Sequence, residues 1–153
     1  PELKPGDKAP DFTVLDNALQ PVTLAAAKGK VAVLVTVPSL DTPVCDLEAR
    51  RFNQEAASLG NDVVVLTIST DLPFAQKRWC GAAGIKNIQV LSDHRDVSFG
   101  TAYGVLLKEL RLLARAIFVV DKQGVIRYVQ LVKEVTHEPD YEAVLAAVQP
   151  LTA

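Results

Sequence analysis

The stretch VAVLVTVPSLDTPVC, residues 31–45, decides the fold of this chain. Its first seven residues are apolar or β-branched without a break, which is typical of a strand buried on both faces. Pro38 ends that strand, and Pro43 is favoured at the first position of a helix. The stretch therefore predicts a strand over Val31–Val37 that passes abruptly into a helix with Cys45 in its first turn.

A second buried strand follows the predicted helix. The helix runs from Pro43 to about Leu59, where Gly60-Asn61 provides a stop signal. Val63–Ser69 is another continuous run of apolar and β-branched residues. Two buried strands joined by a helix form a right-handed βαβ unit, so residues 31–69 are predicted to build one.

The remaining elements follow from turn signals and apolar patterns. We predict short strands among loops in residues 1–30, a helix that opens at Asp71-Leu72-Pro73 and ends with Cys80 before Gly81, a strand at Ile88–Leu91, a helix at Asp96–Tyr103, strands at Arg115–Val120 and Val125–Val132 around the hairpin signal of residues 121–124, and a helix at Tyr141–Val148. This order predicts one α/β domain over residues 1–153, with a thioredoxin-like fold in which helices flank a central mixed β-sheet.

Composition and charge exclude several classes of function. The formal net charge is −2, which gives no reason to expect nucleic acid or an anionic membrane as a partner. Apolar runs fall short of the ~20 residues that span a bilayer. Two cysteines are too few for a disulfide scaffold and fit a cytoplasmic protein whose thiols are catalytic, sensing or buried. His94 and His137 lack the spacing of a metal site, so we predict no metal site.

Cys45 lies where a helix favours negative charge. If Thr42 is the N-cap, Pro43 is N1 and Cys45 is N3, the position that Glu or Gln occupies in a capping box. Unpaired backbone N–H groups and the helix dipole there favour the reactive thiolate over the thiol. Cys45 also has helical spacing to an apolar stripe that ends at Leu59, so position alone leaves a structural role equally open.

The spacing of Pro38, Thr42 and Cys45 resembles the Pro-x-x-x-Thr-x-x-Cys signature of the peroxiredoxins, and PSLDTPVC resembles their thiol peroxidase subfamily. The resemblance runs from about Pro5 to Val148. Further matching stretches are Arg51-Phe52-Asn53, Phe74-Ala75-Gln76, Val90-Leu91-Ser92-Asp93, Ser98-Phe99-Gly100, Leu113-Ala114-Arg115-Ala116 and Glu138-Pro139-Asp140-Tyr141. So many matches in order favour a catalytic Cys45 over a structural one.

The resemblance implies a thiol-dependent peroxidase that reduces hydrogen peroxide and alkyl hydroperoxides without a cofactor. Cys45 is then the peroxidatic nucleophile, which attacks a peroxide oxygen and becomes a sulfenic acid. Thr42 and Arg115 hold the peroxide as charge builds on the leaving oxygen, and Pro38 shields the site from water. Arg51 is the rival arginine, but its i, i+6 offset from Cys45 points it to another face of the helix.

Cys80 forms no C-x-x-C motif with Cys45. The resemblance implies that it resolves the sulfenic acid into an intramolecular disulfide, which thioredoxin reduces; the alternative is an incidental thiol. We expect Ala75 and Trp79 to share the buried face of the helix, with Cys80 one step round beside Gln76. We expect the two sulfurs to start too far apart for a disulfide, which needs Cα atoms ~4.4–6.8 Å apart. Its formation is then expected to require local unfolding around both cysteines.

Several expectations concern the surroundings of this site. The resemblance implies a homodimer. Family members usually carry a short β-hairpin before the segment that begins here at Pro1, which suggests truncation, processing or incomplete coverage. Glu48 either pairs with a nearby arginine or faces solvent. The short charged connection at Leu106–Leu112 is expected to affect peroxide access or subunit contact. Two other functions stay open, namely a peroxide sensor or thiol relay and a binding module with structural cysteines.

Overall fold

The computed structural model describes residues 3–60, 62–85, 87–132 and 137–152. Its strands are β1 (Thr13–Leu15), β2 (Pro21–Thr23), β3 (Val31–Thr36), β4 (Val63–Ser69), β5 (Gln89–Ser92), β6 (Leu106–Leu107), β7 (Leu112–Leu113), β8 (Ala116–Val120) and β9 (Ile126–Leu131). Its helices are α1 (Pro43–Leu59), α2 (Pro73–Ala83), α3 (Ser98–Ala102) and α4 (Tyr141–Val148), with 3-10 turns at Leu24–Ala27 and Gln149–Thr152.

The main sheet is mixed, as the sequence predicts. Its strand order is β2-β1-β5-β4-β3-β8-β9 in the described part of the chain, and β6 pairs with β7 separately. β3 and β4 run parallel, with Val33 opposite Val65, while β8 runs antiparallel to β3, with Ala116 opposite Thr36. Because parallel strands end at the same edge of a sheet, the loops that follow β3 and β4 leave the sheet side by side.

Both faces of the sheet are covered by apolar side chains. On one face, Leu34 of β3 packs with Phe99 of α3 and Tyr103, whose rings stack with their centres 4.1 Å apart. On the other face, Val33 and Cys45 share a cluster with side chains of α1 and α4. Every residue of β3 is buried, which confirms the expectation from its uninterrupted apolar sequence.

Helix α2 is longer than predicted. It continues past Cys80 to Ala83, and Gly84, at φ +69°, ends it in the left-handed conformation that a C-terminal cap needs. The backbone N–H of Ile85 then donates to the carbonyl oxygen of Cys80 over 3.1 Å. Gly81 was therefore the wrong stop, and Cys80 lies inside the last turn of the helix.

The buried face of α2 was predicted only in part, because Trp79 packs against the core as expected but is not the most buried side chain. Gln76 is fully buried, whereas Ala75 and Trp79 are only half-buried. The amide Nε2 of Gln76 donates to Ser69 Oγ over 3.0 Å and to the Leu91 carbonyl over 2.8 Å. A polar side chain with such partners can be buried, which an apolar pattern cannot reveal. Cys80, one turn on from Gln76, therefore faces the sheet side.

Smaller differences concern boundaries. The strand predicted at Ile88–Leu91 lies at Gln89–Ser92, and the helix predicted at Asp96–Tyr103 is shorter. The connection at Leu106–Leu112 is a small hairpin of β6 and β7 rather than a plain loop.

Pro1 and Asn61 lie outside the described residues. Among the helices described, none has the length and apolar character that a membrane crossing requires.

Candidate active site

Cys45 lies at the junction between β3 and α1. Thr42 is the N-cap of the helix and Pro43 its first residue, so the predicted cap arrangement is confirmed. Cys45 is the third residue of α1 and has no exposed surface. Pro38, directly before the turn, is buried as well. The thiol therefore lies under the strand–helix turn, close to the N–H groups of the first helical turn.

Arg115 lies beside this thiol. Because Ala116 pairs with Thr36 at the end of β3, the residue before Ala116 is brought to the edge of the sheet where the turn begins. The Arg115 side chain is 1% exposed, and its Nη1 lies 2.6 Å from Oε1 of Glu48. Its guanidinium also hydrogen-bonds with Cys45. Of the two arrangements left open for Glu48, the structure shows the buried pair with an arginine.

The electrostatics of this pair are asymmetric. Burial raises the pKa of Glu48 to about 7, against the lowering effect of its hydrogen bond to Arg115 and of the Arg115 charge. Burial favours a lower pKa for Arg115, but the hydrogen bond and charge of Glu48, followed by those of Cys45, raise it above its usual value. The guanidinium therefore stays charged, and Glu48 is the member of the pair that titrates.

The rival Arg51 lies elsewhere. Its Nε is 3.0 Å from Oε1 of Glu55, and its guanidinium carbon is 4.6 Å from the centre of the Tyr141 ring. The structure thus brings Arg115, and not Arg51, into contact with Cys45. This is the placement expected from the offset of Arg51 along the helix.

Thr42 holds the N-cap position without capping through its side chain. Among the described residues its hydroxyl bonds no helix N–H; it donates to the Ser39 carbonyl over 2.9 Å. The side chain is exposed. A hydroxyl has two acceptor lone pairs in addition to its proton. Those lone pairs leave Thr42 able to accept a hydrogen bond from a bound molecule above Cys45.

Asp71 is a residue of this site that the sequence analysis missed. Its Oδ1 accepts from Ser39 Oγ over 2.7 Å, and its Oδ2 accepts from the Leu40 backbone over 2.9 Å and from Ser69 Oγ over 2.8 Å. One carboxylate thus holds the loop that leads to Thr42. The sequence could have predicted this contact, because the two buried strands of a βαβ unit are parallel and the polar residues that follow them lie at the same edge of the sheet.

Cys80 occupies a different environment from Cys45. Both are free thiols, and Cys80 is half-buried. Burial raises the pKa of the Cys80 thiol, while a hydrogen bond from Asn17 works against that shift. Cys80 borders a cavity of about 420 Å³ with Asn17, Ile85 and Ile88. This cavity connects one predicted catalytic thiol with solvent.

Other cavities and ligand sets do not compete with this site. A cavity of about 580 Å³ lies at the opposite end of β3, bordered by Lys8, Lys28 and Lys30, and none of the five predicted site residues borders it. Within the described ranges, no group of three or more His, Cys, Asp or Glu side chains is placed to hold a metal ion.

Comparisons with known proteins identify the family. The Redoxin family matches residues 4–145. A thiol peroxidase of Bacillus subtilis is 58% identical over 150 residues, which are 98% of this chain and 89% of that protein. The chain belongs to the thiol peroxidases of the redoxin family. A thiol peroxidase of Halalkalibacterium halodurans is 59% identical over 146 residues, 95% of this chain and 87% of that relative.

A solved structure supports the same membership. The crystal structure of a peroxiredoxin-like protein from Aquifex aeolicus has a TM-score of 0.92 and 47% identity, and the match covers 99% of this chain and 89% of that one. The predicted thioredoxin-like fold of the redoxins is confirmed. As a member of the thiol peroxidases, the chain is an enzyme, a thiol-dependent peroxidase.

Proposed function

We propose that this enzyme reduces hydrogen peroxide and small alkyl hydroperoxides with Cys45 as the nucleophile. The observation that carries the proposal is the buried Cys45 thiol in the first turn of α1, hydrogen-bonded to the charged guanidinium of Arg115. A cation and a helix N-terminus both favour thiolate. The thiolate attacks the terminal oxygen of ROOH, the O–O bond breaks, and RO⁻ leaves and takes a proton from solvent, so the products are Cys45 sulfenic acid and ROH.

The surrounding side chains favour the transition state. Negative charge builds on the leaving oxygen as the O–O bond stretches, and donors already in place stabilise it most. Arg115 supplies such donors, and its pair with Glu48 fixes the guanidinium. Thr42 accepts from the peroxide O–H, because its own proton is directed at Ser39. Pro38 has no backbone N–H and keeps water from the thiol.

Cys80 completes the cycle as the resolving thiol. Its sulfur attacks Cys45 sulfenic acid, an S–S bond forms, and water leaves. The cavity beside Cys80 is a route for a thiol reductant to the resulting disulfide, for which we propose thioredoxin. Two free thiols in the reduced enzyme fit a reducing compartment, so we place it in the cytoplasm.

We also propose a homodimer. Large apolar side chains are exposed at the start of α2, where Leu72 is 53% and Phe74 is 66% exposed. Apolar side chains clustered at a surface are typical of interaction sites. This surface adjoins Asp71 and therefore the active-site loop.

Stopped-flow fluorescence of Trp79 tests the catalytic proposal. Trp79 directly precedes Cys80, so its emission should change when α2 opens to form the disulfide. We expect a fast, saturable change in the reduced wild-type enzyme after mixing with hydrogen peroxide. Cys45→Ser should abolish that change, and Cys80→Ser should stop at the sulfenic acid, detected by a dimedone-type trap and mass spectrometry.

Two outcomes would contradict the proposal. If Cys45→Ser consumes peroxide as fast as the wild type, the nucleophile is another group. If the wild-type thiol reacts no faster than a free thiol in solution, the cysteines are structural and the neighbourhood of Arg115 does not activate Cys45.

A further inference from the structure

The two cysteine-bearing helices are joined by a hydrogen bond between the neighbours of the two cysteines. The indole Nε1–H of Trp79, on α2, donates to Oδ1 of Asp46, on α1, over 3.1 Å. Asp46 directly follows Cys45, and Trp79 directly precedes Cys80. The bond therefore ties the first turns of α1 to the turn of α2 that carries Cys80.

Arg50 reinforces this bond from one turn further along α1. Its Nε lies 2.7 Å from the same Oδ1 of Asp46, and its guanidinium carbon lies 5.8 Å from the centre of the Trp79 ring. A carboxylate that accepts from an indole and a guanidinium makes charge-assisted hydrogen bonds, which are roughly twice as strong as neutral ones. The Trp79 side chain also packs against the apolar cluster that contains Cys45.

While this bond is made, Cys45 is fully buried, whereas Cys80, which packs against the apolar cluster that contains Cys45, is only half-buried. Successive side chains on a helix point about 100° apart, so when Asp46 and Trp79 face each other, their cysteine neighbours point elsewhere. Cys45 is buried beside Arg115, and Cys80 borders the cavity with Asn17.

Unwinding the start of α1 must disturb this arrangement. The backbone N–H of Asp46 donates to the Thr42 carbonyl over 3.0 Å, which is the first hydrogen bond of the helix. Releasing Cys45 from the first turn breaks that bond and moves Asp46. The same movement takes Oδ1 of Asp46 away from the Trp79 indole, so we expect the bond to Trp79 to open before the two sulfurs meet.

We propose that Asp46 and Trp79, reinforced by Arg50, form a latch that sets the rate at which Cys45 sulfenic acid becomes a disulfide. This inference rests on the proposed function, in which Cys80 is the resolving thiol. The latch holds the start of α1 against the turn of α2 that carries Cys80, and it opens before Cys80 attacks. Asp46 and Trp79 are positioning residues, because they act through the placement of the cysteines.

The latch decides between two fates of the sulfenic acid. In one, the Cys80 thiol attacks the Cys45 sulfur, the S–S bond forms, and water leaves. In the other, a second ROOH transfers an oxygen to the sulfenic sulfur, which becomes a sulfinic acid, and ROH leaves. A latch that opens slowly leaves the sulfenic acid available to the second peroxide for longer. A weaker latch therefore favours the disulfide over over-oxidation.

Rapid-quench alkylation with intact-protein mass spectrometry tests the latch on the full chain. Trp79→Phe keeps an aromatic ring but removes the N–H donor, Asp46→Ala removes the acceptor, and a double variant removes both. Each reduced protein is mixed with hydrogen peroxide, and the sulfenic, disulfide and sulfinic forms are quantified over time. Glu55→Ala is the matched control, because Glu55 makes an i, i+4 ion pair with Arg51 on the same helix.

We expect sulfenic acid formation within about twofold of wild type in every variant. Disulfide formation should be about five- to tenfold faster in Trp79→Phe, from the loss of one partly exposed hydrogen bond, and at least as fast in Asp46→Ala, which also loses its pair with Arg50. The double variant should be no faster than the faster single variant, because both changes remove the same contact. The sulfinic fraction at a fixed excess of peroxide should fall in the latch variants, and Glu55→Ala should match the wild type.

Three outcomes would overturn the latch. These are disulfide formation at or below the wild-type rate in both single variants, acceleration that adds up in the double variant, and an equal acceleration in Glu55→Ala. Failure of the proposed function gives other results: a wild type without sulfenic acid excludes Cys45 as nucleophile, and a wild type whose sulfenic acid never becomes a disulfide excludes Cys80 as resolver. Either of these overturns the latch as well.

Discussion

One buried carboxylate holds Arg115 beside Cys45. A guanidinium that loses its surface to burial costs several kcal/mol unless it is paired, and Glu48 supplies the pair. Yet within the described part of the chain, Oε2 of Glu48 has no hydrogen-bond partner, which is consistent with the raised pKa of this side chain. The single guanidinium of Arg115 thus bonds both Glu48 and Cys45.

The raised pKa of Glu48, which is caused mainly by burial, predicts a pH dependence of stability. The pKa of Glu48 is about 7 in the folded chain, above its ordinary 4.5, so the folded state binds the proton more tightly. The stability that this proton contributes is fully present below about pH 4.5 and is lost as pH rises through about 7. Relative to Glu48→Gln, the free energy of unfolding of the wild type should fall by about 2–3 kcal/mol between pH 4.5 and 8.

Urea unfolding of both proteins across this pH range measures the difference. Gln is uncharged throughout, so the variant cancels the contributions of the other titrating groups. A difference that stays constant or grows with pH would show that Glu48 does not carry a raised pKa in the folded enzyme.

At the scale of elements, the candidate active site lies where two strand ends meet. The parallel pairing of β3 and β4 brings the turn at residues 38–42 beside Asp71, whose carboxylate accepts from Ser39 and Leu40. The turn positions both Thr42 and the start of α1. A single side chain from the neighbouring strand end thus determines how the helix that carries Cys45 begins.

Asp71→Ala should therefore impair catalysis more than its cost in stability suggests. The change removes the carboxylate that accepts hydrogen bonds from Ser39 Oγ and the Leu40 N–H. The free energy of unfolding should fall by about 1–3 kcal/mol. Displacement of Thr42 and Cys45 should lower kcat/KM for hydrogen peroxide roughly tenfold to a hundredfold. Steady-state kinetics and urea unfolding measure the two effects.

Asp121→Ala is the matched control for this prediction. Asp121 accepts from the backbone N–H groups of Gln123 and Val125 in the turn between β8 and β9, away from Cys45. The Asp121→Ala variant should have a lower free energy of unfolding than the wild type and an unchanged kcat/KM. Equal kinetic effects of the two changes would mean that Asp71 only stabilises the fold.

At the scale of the whole molecule, apolar side chains are buried on both faces of the sheet. Two large apolar side chains at the start of α2 remain exposed. Leu72 and Phe74 lie two positions apart there, next to Asp71. An interface on this surface would place the partner subunit beside the active-site loop. The proposed dimer would then restrict the motion of the helix that must open for the disulfide.

Phe74→Glu should convert the dimer into monomers, because it places a charge at the centre of this surface. Sedimentation velocity at micromolar concentration measures the change. Leu131→Glu is the control, since Leu131 is 48% exposed on β9 instead. A wild type that sediments as a monomer would contradict the dimer, and a dimeric Phe74→Glu would place the interface elsewhere.

The sequence by itself determined the features that depend on neighbouring residues. The caps and the apolar patterns predicted α1 and α4 with their boundaries, the buried strand Val63–Ser69, and the placement of Cys45 in the first turn of a helix. Such signals are local, because they come from backbone preferences and side-chain periodicity within one turn or one strand. The choice of Arg115 over Arg51 needed the family resemblance in addition to the local pattern.

Only the tertiary structure decided which distant side chains meet. Three contacts of the candidate site join residues more than 30 positions apart. They are the Glu48–Arg115 pair, the bond from the Leu40 N–H to Asp71, and the bond from Trp79 to Asp46. The buried Gln76 belongs with them, since its partners lie on β4 and β5. These contacts depend on strand order and register, which bring the ends of β3, β4 and β8 to one edge and which no local pattern specifies.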